Sequence, residues 1–131
     1  MYPHQGSQAY RQVGLESSAM GADPHKLIML LFEGAHSAML RAKIFMANGD
    51  IPARGAEITK AINIIQQGLR AALDHQQGGE LSHNLERLYD YMTRTLLQAN
   101  LQQDIDAITH VDTLMMNIYD AWKQISPSPK A

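Results

Sequence analysis

Apolar residues recur along most of the chain at alternating steps of three and four. Ile28, Leu31, Ala35, Ala38, Ala42 and Phe45 make one such series, and Ile58, Ile62, Ile65, Leu69 and Ala72 a second. Leu81, Leu85, Leu88, Met92, Thr95 and Ala99 make a third, and Ile108, Val111, Met115, Ile118, Trp122 and Ile125 a fourth. A mean step of about 3.5 residues is the seam of a helix in left-handed bundle packing. The pattern therefore predicts four amphipathic helices.

Their ends are marked. Asp23 is a good N-cap and Pro24 suits the first helical position, so the first helix starts there. It is expected to run to Asn48, where Gly49 can take the left-handed C-terminal conformation. Asp50 caps the second helix and tolerates Pro52 in its first turn; this helix is expected to reach about Gln76, with Gly78-Gly79 as the break. The third is expected from near Glu80 to near Asn100, and the fourth from its cap Asp104 to about Gln124. Connections of two to four residues force neighbours to be antiparallel. The expected fold is all-α, an up-down-up-down four-helix bundle over residues 23–125. Residues 1–22 differ: Gly6, Gly14 and Gly21 sit among Gln and Ser with few apolar residues, and a helix over Ser7–Val13 is too short to hold alone. They read as an arm ordered only on docking. Residues 126–131, Ser-Pro-Ser-Pro-Lys-Ala, cannot continue a helix and are expected to be disordered.

Composition narrows the class. In 131 residues there are 16 Ala, 14 Leu and 8 Met but only 2 Val and 2 Phe. Strand formers are scarce except for 11 Ile, so a sandwich or barrel is disfavoured. With no cysteine, disulfides, thiolate zinc sites and cysteine nucleophiles fall away, which fits a reducing compartment. A net charge of −2 supplies no basic field for nucleic acid. The longest apolar run, Leu27 to Phe32, is six residues against the ~20 of a membrane span. No signal peptide pattern stands in the first 22 residues, and a cytoplasmic protein without membrane insertion is expected.

Candidate chemistry is thin. Glu33/His36 and Glu80/His83 have the Glu-x-x-His spacing of carboxylate-bridged di-metal bundles. Such a centre needs inward-facing ligands at one level. Glu33 and His36 lie well off the first seam, Glu80 sits at a helix end, and the fourth helix has no Glu. Both pairs are expected to be solvated. The six histidines form no H-x-x-x-H pair, and there is no H-E-x-x-H, Walker loop or G-x-G-x-x-G. Asp104, Asp106, Asp112 and Asp120 are spread around the fourth helix, for capping and solubility. No catalytic residue, metal or cofactor is expected.

One feature exceeds a plain bundle. At about 100° per residue, Met29, Leu40 and Ile44 project away from the first seam. Ile64 lies off the second, flanked by Ala61, Gly68 and Ala71, small residues that would let another helix approach closely. Tyr91 and Leu97 are off the third seam, and Leu114 and Met116 off the fourth. A core broader than the seams would absorb some of these residues. The set as a whole points to a groove for an amphipathic partner helix, with Met as an adaptable lining. Self-association through the same residues is the alternative, and a metal-dependent oxidase the remaining one.

Other segments carry a resemblance. They are Gln8-Ala9-Tyr10-Arg11-Gln12-Val13, then Asp23 to Ala35, Gly78-Gly79-Glu80-Leu81, Asn84-Leu85 and Leu88-Tyr89-Asp90-Tyr91-Met92. Leu96-Leu97-Gln98-Ala99-Asn100 and Asp120-Ala121-Trp122 complete the set. In this order and spacing, over roughly residues 1–125, the chain closely resembles the FliS family of flagellin-specific export chaperones. The resemblance implies a partner, the C-terminal segment of flagellin, disordered before assembly and helical when wrapped around the bundle. It also implies that polymerisation is prevented in the cytoplasm, that flagellin is presented to the membrane export gate, and a link to the flagellar anti-sigma factor. The arm would cover apolar surface when no client is bound, a role that falls on Tyr10 with Val13 beside it. Phe32 stands where the family often has Tyr. The client groove is then expected at Met29, Leu40, Ile44, Ile64, Gly68, Ala71, Tyr91 and Leu97, on a monomer or weak homodimer.

Overall fold

A computed structural model describes residues 23–125. Helix α1 is Pro24–Ala47, α2 is Ile51–Asn63 and continues into a π-helical segment Ile64–Arg70, α3 is His75–Gln102, and α4 is Ile105–Gln124. The caps lie where the acids predicted them. Asp23 accepts from the Lys26 amide, Asp50 from Ala53 and Asp104 from Ala107 at 2.8–3.2 Å. Gly49, at φ 76°, takes the left-handed conformation that ends α1.

Contacts between elements form a ring. α1 packs on α2 and α4, while α3 packs on α4 and on α2 with its π segment; the diagonal pairs make no comparable contact. Polar bonds give the register and the directions. His25 at the start of α1 meets Trp122 at the end of α4, and Arg54 at the start of α2 meets Asn100 near the end of α3. The architecture is the expected antiparallel four-helix bundle.

The buried faces are wider than the seams. α1 buries Phe32, Met39 and Met46 beside Leu31, Ala35, Ala38 and Ala42. α2 and its π segment bury Ala61, Ile64, Ile65, Gly68 and Leu69, the i, i+3, i+4, i+7, i+8 pattern of a broad face. Each helix meets two neighbours and the central axis, so a stripe of two positions in seven is too narrow. This corrects two expectations: Ile64, fully buried, and Gly68 belong to the core and not to an outer groove. The close approach that the small residues permit is therefore internal, to α1 and α3, which both pack on the π segment.

The second connection also differs from its expected place. The second helix does not reach Gln76; it ends at Arg70, and Asp74 caps a new turn by accepting from the Gln76 and Gln77 amides. Gly79, at φ 53° and ψ −126°, then breaks α3 internally. Only glycine adopts that conformation without strain, so the chain kinks there and the regular helix resumes at Glu80. Leu81, counted as a seam residue, is 65% exposed because it lies in the first turn after the kink. Ala72 and Ile125 are likewise exposed where their helices have already ended. Tyr10 and Val13, with the rest of the expected arm, and the Ser-Pro tail lie outside the described residues.

Candidate functional site

The sequence-predicted groove residues fall into separate places. On α1, Leu40 and Ile44 are one turn apart on the outer face and both exposed; Met29, on the same side of the helix, is half-buried against the core. On α3, Tyr91 and Leu97 are exposed but roughly 120° apart around the helix. Ala71 is exposed in the turn after the π segment. Because α1 and α3 are diagonal in the ring, Leu40 and Ile44 look away from Leu97. These residues do not form one groove; Leu40 with Ile44, Tyr91, and Leu97 stand on separate outer faces of the bundle.

Several exposed apolar residues escaped the seam count. Leu101 is 81% exposed, and Ile51 and Ile105 are exposed as well. Leu101 follows Leu97 by one turn, and that i, i+4 spacing was available as a signal. Ile51 and Ile105 are the first residues of α2 and α4, where no seam has begun, so periodicity had nothing to say of them. With Ile44 and Leu97 they gather at the end of the bundle holding the two short connections, Asn48–Asp50 and Gln103–Asp104. Arg54 secures that end. It is buried, and its guanidinium donates to the Asn100 side chain at 2.8 Å and to the Asn100 carbonyl at 2.9 Å.

The α1–α4 boundary beside Leu40 is polar and connected. His36 lies 2.7 Å from Asp112, which is itself buried, and Tyr119 donates to Glu33 at 2.5 Å. Lys43 donates to Thr109 at 3.1 Å. Glu33 and His36 are thus not simply solvated, and Asp112 is not a solubility residue; they hold the two helices in register. The bond to Glu33, followed by burial, pushes the Tyr119 phenol up to about 12. On the other side, Arg70 bonds Asp90 at 2.8 Å and holds its carboxyl below the usual carboxylate range, against partial burial and with help from Gln66.

The opposite end of the bundle encloses an apolar cavity. A cavity of about 110 Å³ is lined by Ile28 and Phe32 of α1, Leu69, Ala72 and Leu73 around the second connection, and Leu85, Tyr89, Ile118 and Trp122. Burial alone pushes the Tyr89 phenol well up. His25 stacks on Trp122 with ring centroids 4.9 Å apart, and the two exchange bonds. The His25 ring donates to the Trp122 carbonyl at 2.9 Å, and the indole N–H donates to the His25 carbonyl at 3.1 Å. Among the described residues, no helix is long and apolar enough to cross a membrane.

Fold and surface together define a four-helix bundle with apolar faces left open to a partner, a class built for binding. Residues 6–129 match the family model described as flagellar protein FliS. The chain is 55% identical over 127 residues to the flagellar secretion chaperone FliS of Salmonella typhimurium, covering 97% of this chain and 94% of that protein. It is 48% identical over 129 residues to the flagellar secretion chaperone FliS of Escherichia coli, covering 98% and 95%. At greater distance, the Bacillus subtilis flagellar secretion chaperone FliS is 33% identical over 122 residues, covering 93% and 86%. The chain belongs to the FliS family and is a flagellar secretion chaperone.

Proposed function

We propose that this chaperone acts in the cytosol by holding the disordered C-terminal segment of flagellin as helices against the exposed apolar faces of its bundle. The observation that carries the reading is the set of exposed large apolar side chains on α1 and α3: Leu40, Ile44, Tyr91, Leu97 and Leu101. Since these residues stand on separate faces, a client reaching all of them must run around the bundle in an extended path. A segment that folds on binding loses ordering entropy, and a long apolar footprint offsets that loss. Covering the client's own assembly helices would keep flagellin from polymerising before it is handed to the membrane export gate. Links to the flagellar anti-sigma factor belong to the same reading. The residues named have the character of a binding surface, not of a catalytic centre.

Titration with a flagellin C-terminal peptide tests the footprint. Leu40→Asp/Ile44→Asp and Leu97→Asp/Leu101→Asp should each weaken binding at least about tenfold while leaving the fold intact. Unchanged affinity in both would sink the assignment. The arm has its own test. Removing residues 1–15 should raise dye binding to apolar surface and raise client affinity, through loss of the Tyr10 and Val13 cover. Light scattering without client separates this reading from self-association, which would use the same faces to join copies of the chain.

A further inference from the structure

The kink at Gly79 brings His75 up to two side chains, His83 and Glu86, that i, i+3 spacing already sets side by side. His75 lies in the turn capped by Asp74, while His83 and Glu86 lie on α3 beyond the kink. Ser82 pins the turn down by donating to the Asp74 carbonyl at 3.0 Å. The two imidazoles are stacked face to face, centroids 4.3 Å apart and planes within 6°. One oxygen of Glu86, Oε1, faces both: it is 3.5 Å from His75 Nε2 and 3.8 Å from His83 Nδ1. Its other oxygen, Oε2, is held by Arg70 at 2.8 Å.

We propose that His75, His83 and Glu86 form a binding site for a divalent transition metal that prefers imidazole, zinc in the first place. Each residue offers a ligand atom, and these atoms all lie within 4.8 Å of one another. The carboxylate separations are too long for good hydrogen bonds. They approach the spacing of neighbouring ligands around a tetrahedral zinc, roughly 3.3–3.5 Å for bonds of about 2.1 Å, and on binding the exposed imidazoles would turn out of their stack to aim both nitrogens at one ion. Two nitrogens and one oxygen leave the fourth position to water, since the histidines are exposed. Arg70 acts as the outer partner that fixes the carboxylate with Oε1 toward the imidazoles. Its positive charge is offset by Asp90, bonded at 2.8 Å. Among the described residues, the ion pairs that touch the three are with one another and with Arg70, which has Asp90 behind it. A bound ion would tie the second connection to α3. That connection also walls the cavity through Ala72 and Leu73, so metal would stiffen this whole end of the bundle.

Zinc chloride titrated calorimetrically into the untagged, chelator-treated full chain near neutral pH tests the site. One equivalent should bind, and the melting temperature should rise with zinc. Cobalt(II) should give the visible absorption of a tetrahedral site in the wild-type chain, a readout that needs no variant. His75→Ala and His83→Ala should each weaken binding at least about tenfold. His110→Ala, whose ring accepts from or donates to the Tyr91 hydroxyl elsewhere on the bundle, should leave it unchanged. Equal affinity in a folded His75→Ala/His83→Ala chain, or no heat and no cobalt spectrum in the wild type, would overturn the proposal.

Discussion

The two ends of this bundle handle apolar surface in opposite ways. At the end with the short connections, Ile44, Ile51, Leu97 and Leu101 stand out into solvent around a backbone fixed by two caps and the Arg54–Asn100 clamp. At the other end the second connection is longer, a π segment precedes it, and apolar side chains line a cavity that Trp122, stacked on His25, borders, with Leu81 and Ile125 exposed beyond it. A chaperone needs both properties. Open apolar residues supply contact area for a client, but they help only if the scaffold beneath them does not collapse onto itself. Rigid, tightly capped connections prevent that collapse.

The sharpest way to break the comparison is to carry charge across it. Ile64→Asp places a carboxylate in the fully buried face of the π segment, with an expected loss above about 4 kcal/mol and unfolding by circular dichroism. The same change at Ile44, which is 57% exposed, should alter stability by less than about 0.5 kcal/mol while weakening client binding. Next in size is the backbone of the cavity end. Gly79→Ala forces a side chain onto φ 53°, ψ −126° and should cost about 1–3 kcal/mol in urea unfolding. The sole tryptophan, Trp122, sits at that end, so its fluorescence should report this change directly. At the opposite end, Arg54→Met leaves Asn100 without its buried partner, an expected loss of about 1–3 kcal/mol. Client affinity should fall with it, whereas Gly79→Ala should leave affinity nearly unchanged.

The smallest expected effect is on pH dependence. Arg70 holds the Asp90 carboxyl below its ordinary value of about 3.9. A depressed carboxylate contributes stability that is present above its unfolded value and lost as pH falls through its folded one. Denaturation midpoints of wild type and Asp90→Asn should therefore converge as pH is lowered below about 4. The pair is about a third exposed, so solvent screening keeps the difference modest.

Much of the fold was legible because it rests on local chemistry. Asp23-Pro24, Asp50 and Asp104 mark helix starts by satisfying amides within three residues, which needs no knowledge of the rest of the chain. The second connection was misplaced for the same reason. Gly78-Gly79 looks like a break, and it is one, but Asp74 had already capped a turn that no seam announced. The candidate surface was half legible. Leu40, Ile44, Tyr91 and Leu97 are exposed as expected, because a residue off its seam must face somewhere else. Ile64 and Gly68 were misread because "somewhere else" was the second neighbour helix.

What the sequence determined by itself was helicity, the capped starts, the antiparallel order and an excess of apolar residues over four narrow seams. All of these follow from interactions within a few residues or from the period of a single helix. The tertiary structure alone decided how wide each buried face is, because that depends on how many neighbours a helix has. It also decided that Leu40 and Ile44 stand on a helix diagonal to that of Leu97 and Leu101, and that His75 meets His83 and Glu86 across the kink at Gly79. Such meetings are set by packing and by a single backbone conformation, to which one-dimensional periodicity is blind.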